Sequence, residues 1–214
     1  MTLDSLGTYD ATRDAVRGIC RSYGRARVLD IGCGDGRLLA ALAPDIASGW
    51  GIDISTERLR EARQATGGHP HLEFRNMPVE RLAQEEGEPF DVVLFVGSLE
   101  HMQDPLRALA AVRSWIRPGG RVVVAAIAPR APHAILSRWW LRGSDNPVVQ
   151  HLGIEGLRVI AQPAGFEVDR IVDLRRGSRR GWAARALQGL LSVYDALGGP
   201  TRAVILRPTN DASG

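Results

Sequence analysis

VLDIGCGDG, residues Val28–Gly36, is the stretch whose reading decides the fold. An apolar run ends in an acid at Asp30, glycines recur at Gly32, Gly34 and Gly36, and a helical pattern runs from Arg37 to Ala43. The order is strand, tight glycine turn, helix start. Glycines let the backbone approach a ligand with no Cβ in the way, and a helix N-terminus offers unpaired N–H groups. Such a turn suits a nucleoside-bearing cofactor at the carboxyl end of a parallel sheet.

The spacing narrows the cofactor. A dinucleotide fingerprint runs G-x-G-x-x-G, which brings the backbone close to a pyrophosphate. Here the glycines read G-x-G-x-G, and Asp30 stands just before them. A carboxylate there repels a pyrophosphate but accepts a hydrogen bond from an ammonium. A second acid, Asp53 in GIDIS (Gly51–Ser55), ends the next apolar run. It falls about 20 residues downstream, where an acid takes a ribose diol.

Working outward, β-rich apolar runs recur near 26–31, 49–54, 72–75, 90–96 and 121–127. Helical patterns near 36–43, 56–66, 104–116 and 153–164 separate most of them. Phe166–Leu174 reads as a further strand and Ala203–Leu206 as the last. Strands alternating with helices imply right-handed crossovers and a parallel sheet. FDVVLFV (Phe90–Val96) is a buried-strand run opened by an acid, followed by SLEHMQDP (Ser98–Pro105), the turn RPGG (Arg117–Gly120) and RVVVAAIAP (Arg121–Pro129).

From about residue 26 to 174 the order of these pieces resembles the class I S-adenosylmethionine-dependent methyltransferases. The resemblance implies an α/β, Rossmann-like seven-stranded mostly parallel sheet with helices on both faces and a reversed last strand. It implies S-adenosylmethionine as cofactor and S-adenosylhomocysteine as product. Carried onto this chain, Asp30 with the backbone at Gly32 and Gly34 holds the methionine moiety, with Tyr9 and Arg13 on the way in and Arg13 assigned to the cofactor. Asp53 takes the ribose hydroxyls and Ile54 lies against adenine. Many relatives bind the adenine amine with an acid after the third strand. The corresponding run here, FRNMPVERL (Phe74–Leu82), lacks it, leaving Asn76 or the backbone at Met77 as the substitute. Val96 and Gly97 are expected beneath the sulfonium.

Glu73–Pro105 narrows the resemblance to the ubiquinone-biosynthesis O-methyltransferases, which methylate catechol hydroxyls on polyprenyl-tailed rings. The matches are a V-E pair, a short acidic loop, F-D-V-V, L-E-H and D-P. In that family a glutamate three residues before the L-E-H glutamate joins the E-H pair in holding a divalent metal. This chain has Gly97 there, so no metal is assigned and the catechol is not carried over. Methyl transfer from a sulfonium is an in-line displacement that needs a positioned nucleophile and, for a hydroxyl, a proton acceptor. His101 is the first candidate, because an imidazole titrates near neutral pH. His151, in VVQHLGIEGL, is weighted almost equally, and Glu100 either joins the chemistry or braces the turn. The resemblance thus predicts methylation of a hydroxyl on a small, hydrophobic metabolite. Nitrogen or carbon methylation and a non-catalytic cofactor-binding or partner-binding role stay open.

Composition bounds the rest. The 214 residues suit a single domain, read as 1–208 with a tail at 209–214 and an N-terminal helical segment at 1–25. No run approaches the roughly 18–20 apolar residues of a membrane span, and no signal peptide is read ahead of the first helix. Cys20 and Cys33 form no metal spacing or disulfide framework, which with the lack of a leader points to the cytoplasm. All 27 basic residues are arginine, which excludes lysine chemistry, and a net charge of +3 argues little for nucleic acid. No N-P-P-[YF]-type tetrapeptide follows the fourth strand, and no nucleic-acid partner is assigned. Two segments stand outside the framework: the insertion at 130–150, with Trp139 and Trp140 between arginines, and the basic amphipathic segment at 175–200. They suit a lid over a lipophilic acceptor, a partner surface, a peripheral membrane contact, or packing on the sheet edge.

Overall fold

The computed structural model describes residues 8–126, 153–174 and 202–209. Seven strands form one sheet: β1 (Ala26–Ile31), β2 (Ile46–Asp53), β3 (Leu72–Asn76), β4 (Phe90–Val96), β5 (Ile116–Ala126), β6 (Phe166–Asp173) and β7 (Arg202–Pro208). Their spatial order is β3-β2-β1-β4-β5-β7-β6. Pairing is parallel from β3 through β5, and β7 runs antiparallel between β5 and β6. This is the Rossmann-like sheet with a reversed last strand that the resemblance implies. Strand order reverses between β1 and β4, so a crevice opens at their carboxyl ends.

Helices cover both faces. On one side, α1 (Thr8–Ser22), α2 (Arg37–Leu42) and α3 (Thr56–Ala65) pack on Val28, Val92, Leu94 and Val123. Helix α1 buries Thr12, Val16, Ile19 and Cys20, one stripe at helical spacing, and turns its acids and arginines outward. On the other side, α4 (Pro105–Ala111) and α5 (Ile154–Ala161) cover Leu29, Ile31, Phe95, Val122 and Val124. The alternation of partners along β1 and β4 follows from the two-residue period of a strand.

Local chemistry sets the element ends nearest the crevice. Ser55 Oγ accepts from Arg58 N at 3.3 Å and caps α3. Asp104 Oδ1 accepts from Arg107 N at 3.0 Å and caps α4, with Pro105 in its first turn. At the opposite end of the sheet the acid that opens β4, Asp91, accepts from Arg27 N at 2.7 Å and pairs with Arg117 at 2.8 Å. It ties β1, β4 and the start of β5 together.

Several boundaries differ from the sequence reading. Strand β2 begins at Ile46, because β1 pairs with Ile46 and Ser48 ahead of the expected run. The helix expected over 104–116 ends at Ala111 and gives way to a 3-10 turn at Arg113–Trp115. There the Trp115 indole N–H donates to Leu82 O at 2.8 Å, an anchor that a continuing α-helix would break. Strand β5 begins at Ile116, pairing with Phe90 before the RPGG turn shifts the register. The 130–150 insertion, the 175–200 segment and His151 lie outside the described residues. Among the described residues no helix is long and apolar enough to cross a membrane.

Candidate active site

A cavity of about 710 Å³ opens at the crevice between β1 and β4. Its wall takes in the glycine turn, the ends of β2 and β4, the start of the turn after β3, and Tyr9 from α1. It brings together Asp30, Gly32, Gly34, Asp53, Ile54, Met77, Val96, Gly97, Glu100 and His101, ten of the residues read from sequence. Asn76 and Arg13 are not part of it.

The glycine turn is shaped by close approach. Gly32 has φ 72°, and a Cβ there would lie 2.6 Å from Ser98 Cβ. Gly32 N and Cys33 N both donate to Ile52 O, at 2.8 and 3.1 Å. Gly34 N donates to Asp53 Oδ2 at 2.9 Å. The turn therefore spends these N–H groups on its own scaffold and presents its bare surface to the cavity. Ser98 Oγ donates to Ile31 O at 2.6 Å, stitching the end of β4 to the end of β1.

The two acids differ in surroundings. Asp30 is 3 % exposed. Burial, then the nearby charges of Asp53 and Asp35, push its carboxyl up to about 7. Asp53 is half-buried, and each oxygen is engaged by backbone, Oδ2 by Gly34 N and Oδ1 by Ser55 N at 2.8 Å. Its lone pairs are not exhausted by two donors, so it can still accept from a diol. Ile54, next along the chain, is 76 % exposed, an apolar face offered to a flat apolar ligand.

At the base end, Asn76 Nδ2 donates to Asp53 O at 3.0 Å and Met77 N donates to the same oxygen at 3.2 Å. The Asn76 amide N–H and the Met77 backbone N–H are thus engaged by the chain itself, and neither bond uses the Asn76 Oδ1 acceptor. The wall there is made by the Met77 side chain, Pro78, Val79 and Glu80.

At the far end stand Glu100 and His101, in a 3-10 turn after β4. Glu100 is 7 % exposed, and its Oε2 has no hydrogen-bond partner among the described residues. Burial raises its carboxyl above the usual range, while its own backbone N–H and His101 pull the other way. His101 is exposed, its backbone N–H donating to Ser98 O at 3.0 Å. Gly97 has φ 65°, a left-handed conformation that disfavours a glutamate at this position. The described residues bring no third His, Cys, Asp or Glu to the pair. The donor set does not fit the family's metal site, and no step is derived through a metal.

Arg13 is held elsewhere, by Asp10 at 2.8 Å and Asp14 at 3.0 Å. Sequence reasoning did not single out Ser98 or Arg37 and gave Tyr9 no role, although all three line the cavity. Ser98 borders the L-E-H motif and was within reach. Arg37 opens α2 directly after Gly36 and was equally within reach, whereas Tyr9 arrives through the docking of α1, which carries no local signature.

Comparison with known proteins identifies the family. A methyltransferase domain family matches residues 11–171. A ubiquinone biosynthesis O-methyltransferase of Paracidovorax citrulli (strain AAC00-1) is 36% identical over 124 residues, 57% of this chain and 52% of that protein. An uncharacterized 37.1 kDa protein in transposon TN4556 of Streptomyces fradiae is 32% identical over 202 residues, 88% of this chain and 58% of that one. The chain spans about half the length of the curated relatives it matches. Among solved structures, N-methyltransferase NodS from Bradyrhizobium japonicum WM9 in complex with S-adenosyl-l-homocysteine shares the fold. Its TM-score is 0.67 at 17% identity, over 97% of this chain and 91% of that one. The chain belongs to the methyltransferase domain family, and its cofactor is S-adenosylmethionine, with S-adenosylhomocysteine as the product. The acid before the glycine turn, the acid ending β2 and the exposed Ile54 fit the ammonium, the ribose and the base of that cofactor.

Proposed function

We propose that this chain is a methyltransferase that methylates a hydroxyl of a small, hydrophobic metabolite. The observation that carries the reading is Glu100. A buried carboxyl with an unpartnered Oε2 stands beside the His101 imidazole in the same cavity as Asp30 and Asp53. Leaving such an oxygen unpaired costs about 1–3 kcal/mol, a cost that a polar group arriving in the cavity removes.

S-adenosylmethionine supplies an electrophilic methyl group on a sulfonium. The chain's own residues do the rest. Asp30 accepts from the ammonium, Asp53 from the ribose hydroxyls, and Ile54 and Met77 cover the base. Val96 and Gly97 form the floor between the cofactor end and the acceptor end. Glu100 orients the acceptor's polar group, and the His101 imidazole takes its hydroxyl proton. His151 is the second candidate for that proton.

In the same reading 1–208 act as one domain located in the cytoplasm. The 130–150 and 175–200 segments meet a lipophilic acceptor or an anionic membrane surface. The ubiquinone-biosynthesis O-methyltransferase relatives support oxygen as the methylated atom. The test is release of S-adenosylhomocysteine with a panel of phenols, aliphatic alcohols and amines of matched size, with product analysis by mass spectrometry. An O-methylated product supports the reading, and turnover on amines alone overturns it. A liposome pelleting assay at low salt tests the membrane contact, and no binding to anionic vesicles removes it.

A further inference from the structure

A hydroxyl can be made ready for methylation in two ways. A divalent metal gathers neighbouring oxygens of the acceptor and lowers the pKa of the one it holds. A lone base must take the proton unaided, so the acceptor has to be acidic enough by itself. The residues at the far end of the cavity decide between the two.

The end of β4 is shaped against a metal. Gly97 stands where the third carboxylate of the resembling family lies, has φ 65°, and donates its N–H to Ala125 O at 2.8 Å. A glutamate is strained in that conformation. Ser98 Oγ, the next side-chain oxygen, is buried and donates to Ile31 O at 2.6 Å. In the 3-10 turn that follows, successive side chains leave the axis about 120° apart. Glu100 is accordingly buried and His101 exposed. A hard cation seeking oxygen ligands finds one carboxylate here, and no third His, Cys, Asp or Glu joins the pair among the described residues.

The imidazole is left to act alone, and that limits what it can deprotonate. A base titrating near neutral pH faces a gap of about three powers of ten to a phenol at about 10. An aliphatic alcohol is about as weak an acid as water, near 15.7, and the gap widens to about nine powers of ten. Val96 and Met102, each partly buried against one of the two cores, give this end of the cavity apolar surface for a ring. We propose that the acceptor is a phenol methylated at a single hydroxyl, with no vicinal hydroxyl and no divalent metal required. His101 takes the phenol's proton and later passes it to water. The phenol oxygen bonds to the methyl carbon as the carbon–sulfur bond breaks, its electron pair staying on sulfur. This rests on the hydroxyl reading of the site and names the acceptor class within it.

The experiment gives the full chain four probes of matched size, 4-propylphenol, 4-propylcatechol, 3-phenylpropanol and 3-phenylpropylamine, each with EDTA and with added magnesium. The phenol is expected to be methylated at the same rate in both conditions, and at least about 100-fold faster than the alcohol. Methylation of the catechol alone, lost with EDTA, overturns the proposal and keeps the hydroxyl reading, as does an alcohol that reacts as fast as the phenol. Methylation of the amine alone overturns the hydroxyl reading itself, which separates the two failures, and silence on every probe overturns the phenol. A second readout needs no turnover. Manganese(II) added to the chain with S-adenosylhomocysteine is expected to keep its free-ion resonance signal, and uptake that Glu100→Gln abolishes overturns the metal-free site.

Discussion

Asp53 accepts the Gly34 N–H at 2.9 Å, so the residue that ends β2 also fixes the glycine turn that follows β1. Its other oxygen takes Ser55 N, which sets the entry to α3. One carboxylate therefore shapes the pocket before it touches a ligand.

Changing Asp53 is expected to do two kinds of damage. Asp53→Asn keeps the acceptor oxygen but replaces the other with a donor that faces an N–H. The unliganded protein should lose about 1–3 kcal/mol in urea unfolding, and S-adenosylhomocysteine affinity should fall further than that loss explains. Unchanged stability with weakened binding would mean that the carboxylate serves the ligand alone.

Asp30 makes binding depend on pH. Its folded value of about 7 lies above the ordinary 3.8, so the folded chain holds this proton more tightly than the unfolded one. The stability of the unliganded protein should therefore fall as pH rises through that window. Binding an ammonium needs the ionised carboxyl, so S-adenosylhomocysteine affinity should rise by up to about tenfold per pH unit below 7 and level off above it. Asp30→Asn should bind more weakly with a flat profile, as titration calorimetry across pH 5.5–8.5, about the span bracketing the transition, would report.

His101→Ala is expected to lower kcat by about 100-fold with S-adenosylhomocysteine affinity retained. Glu100→Gln keeps the shape and one acceptor oxygen, and should raise KM for the acceptor more than it lowers kcat. Full activity in both variants would leave positioning, with His151, as the account of catalysis.

The anchor at the opposite end of the sheet gives a stability prediction with no bearing on ligands. Asp91 is 4 % exposed and accepts from Arg27 N and Arg117. Asp91→Ala strands a backbone N–H near the sheet end and should cost about 1–3 kcal/mol in denaturant midpoints. Cofactor affinity at the far crevice should not change.

What the sequence made legible is local. Val28–Gly36 holds a strand, a turn and a helix start in nine consecutive residues, and the structure has all three there. FDVVLFV reads as a buried central strand because β4 is covered on both faces. The Asp53 position follows from its place at the end of an apolar run. Arg13 and Tyr9 lie four residues apart on one helix, and only the docking of α1 tells which of them reaches the cavity. Asn76 and Met77 stand at the expected place, yet both turn to the carbonyl of Asp53, a choice made by β2–β3 pairing and invisible in the chain.

The stitch of Ser98 Oγ to Ile31 O has a neighbour in Gly97 N, which donates to Ala125 O at 2.8 Å. Together they fasten the carboxyl ends of β1, β4 and β5 into one lattice beneath the crevice. Solvent reaches the amide protons of such a lattice only when the sheet itself opens. Deuterium should therefore enter Gly32, Cys33 and Gly97 as slowly as it enters the middle of β4, however freely the helices above them breathe.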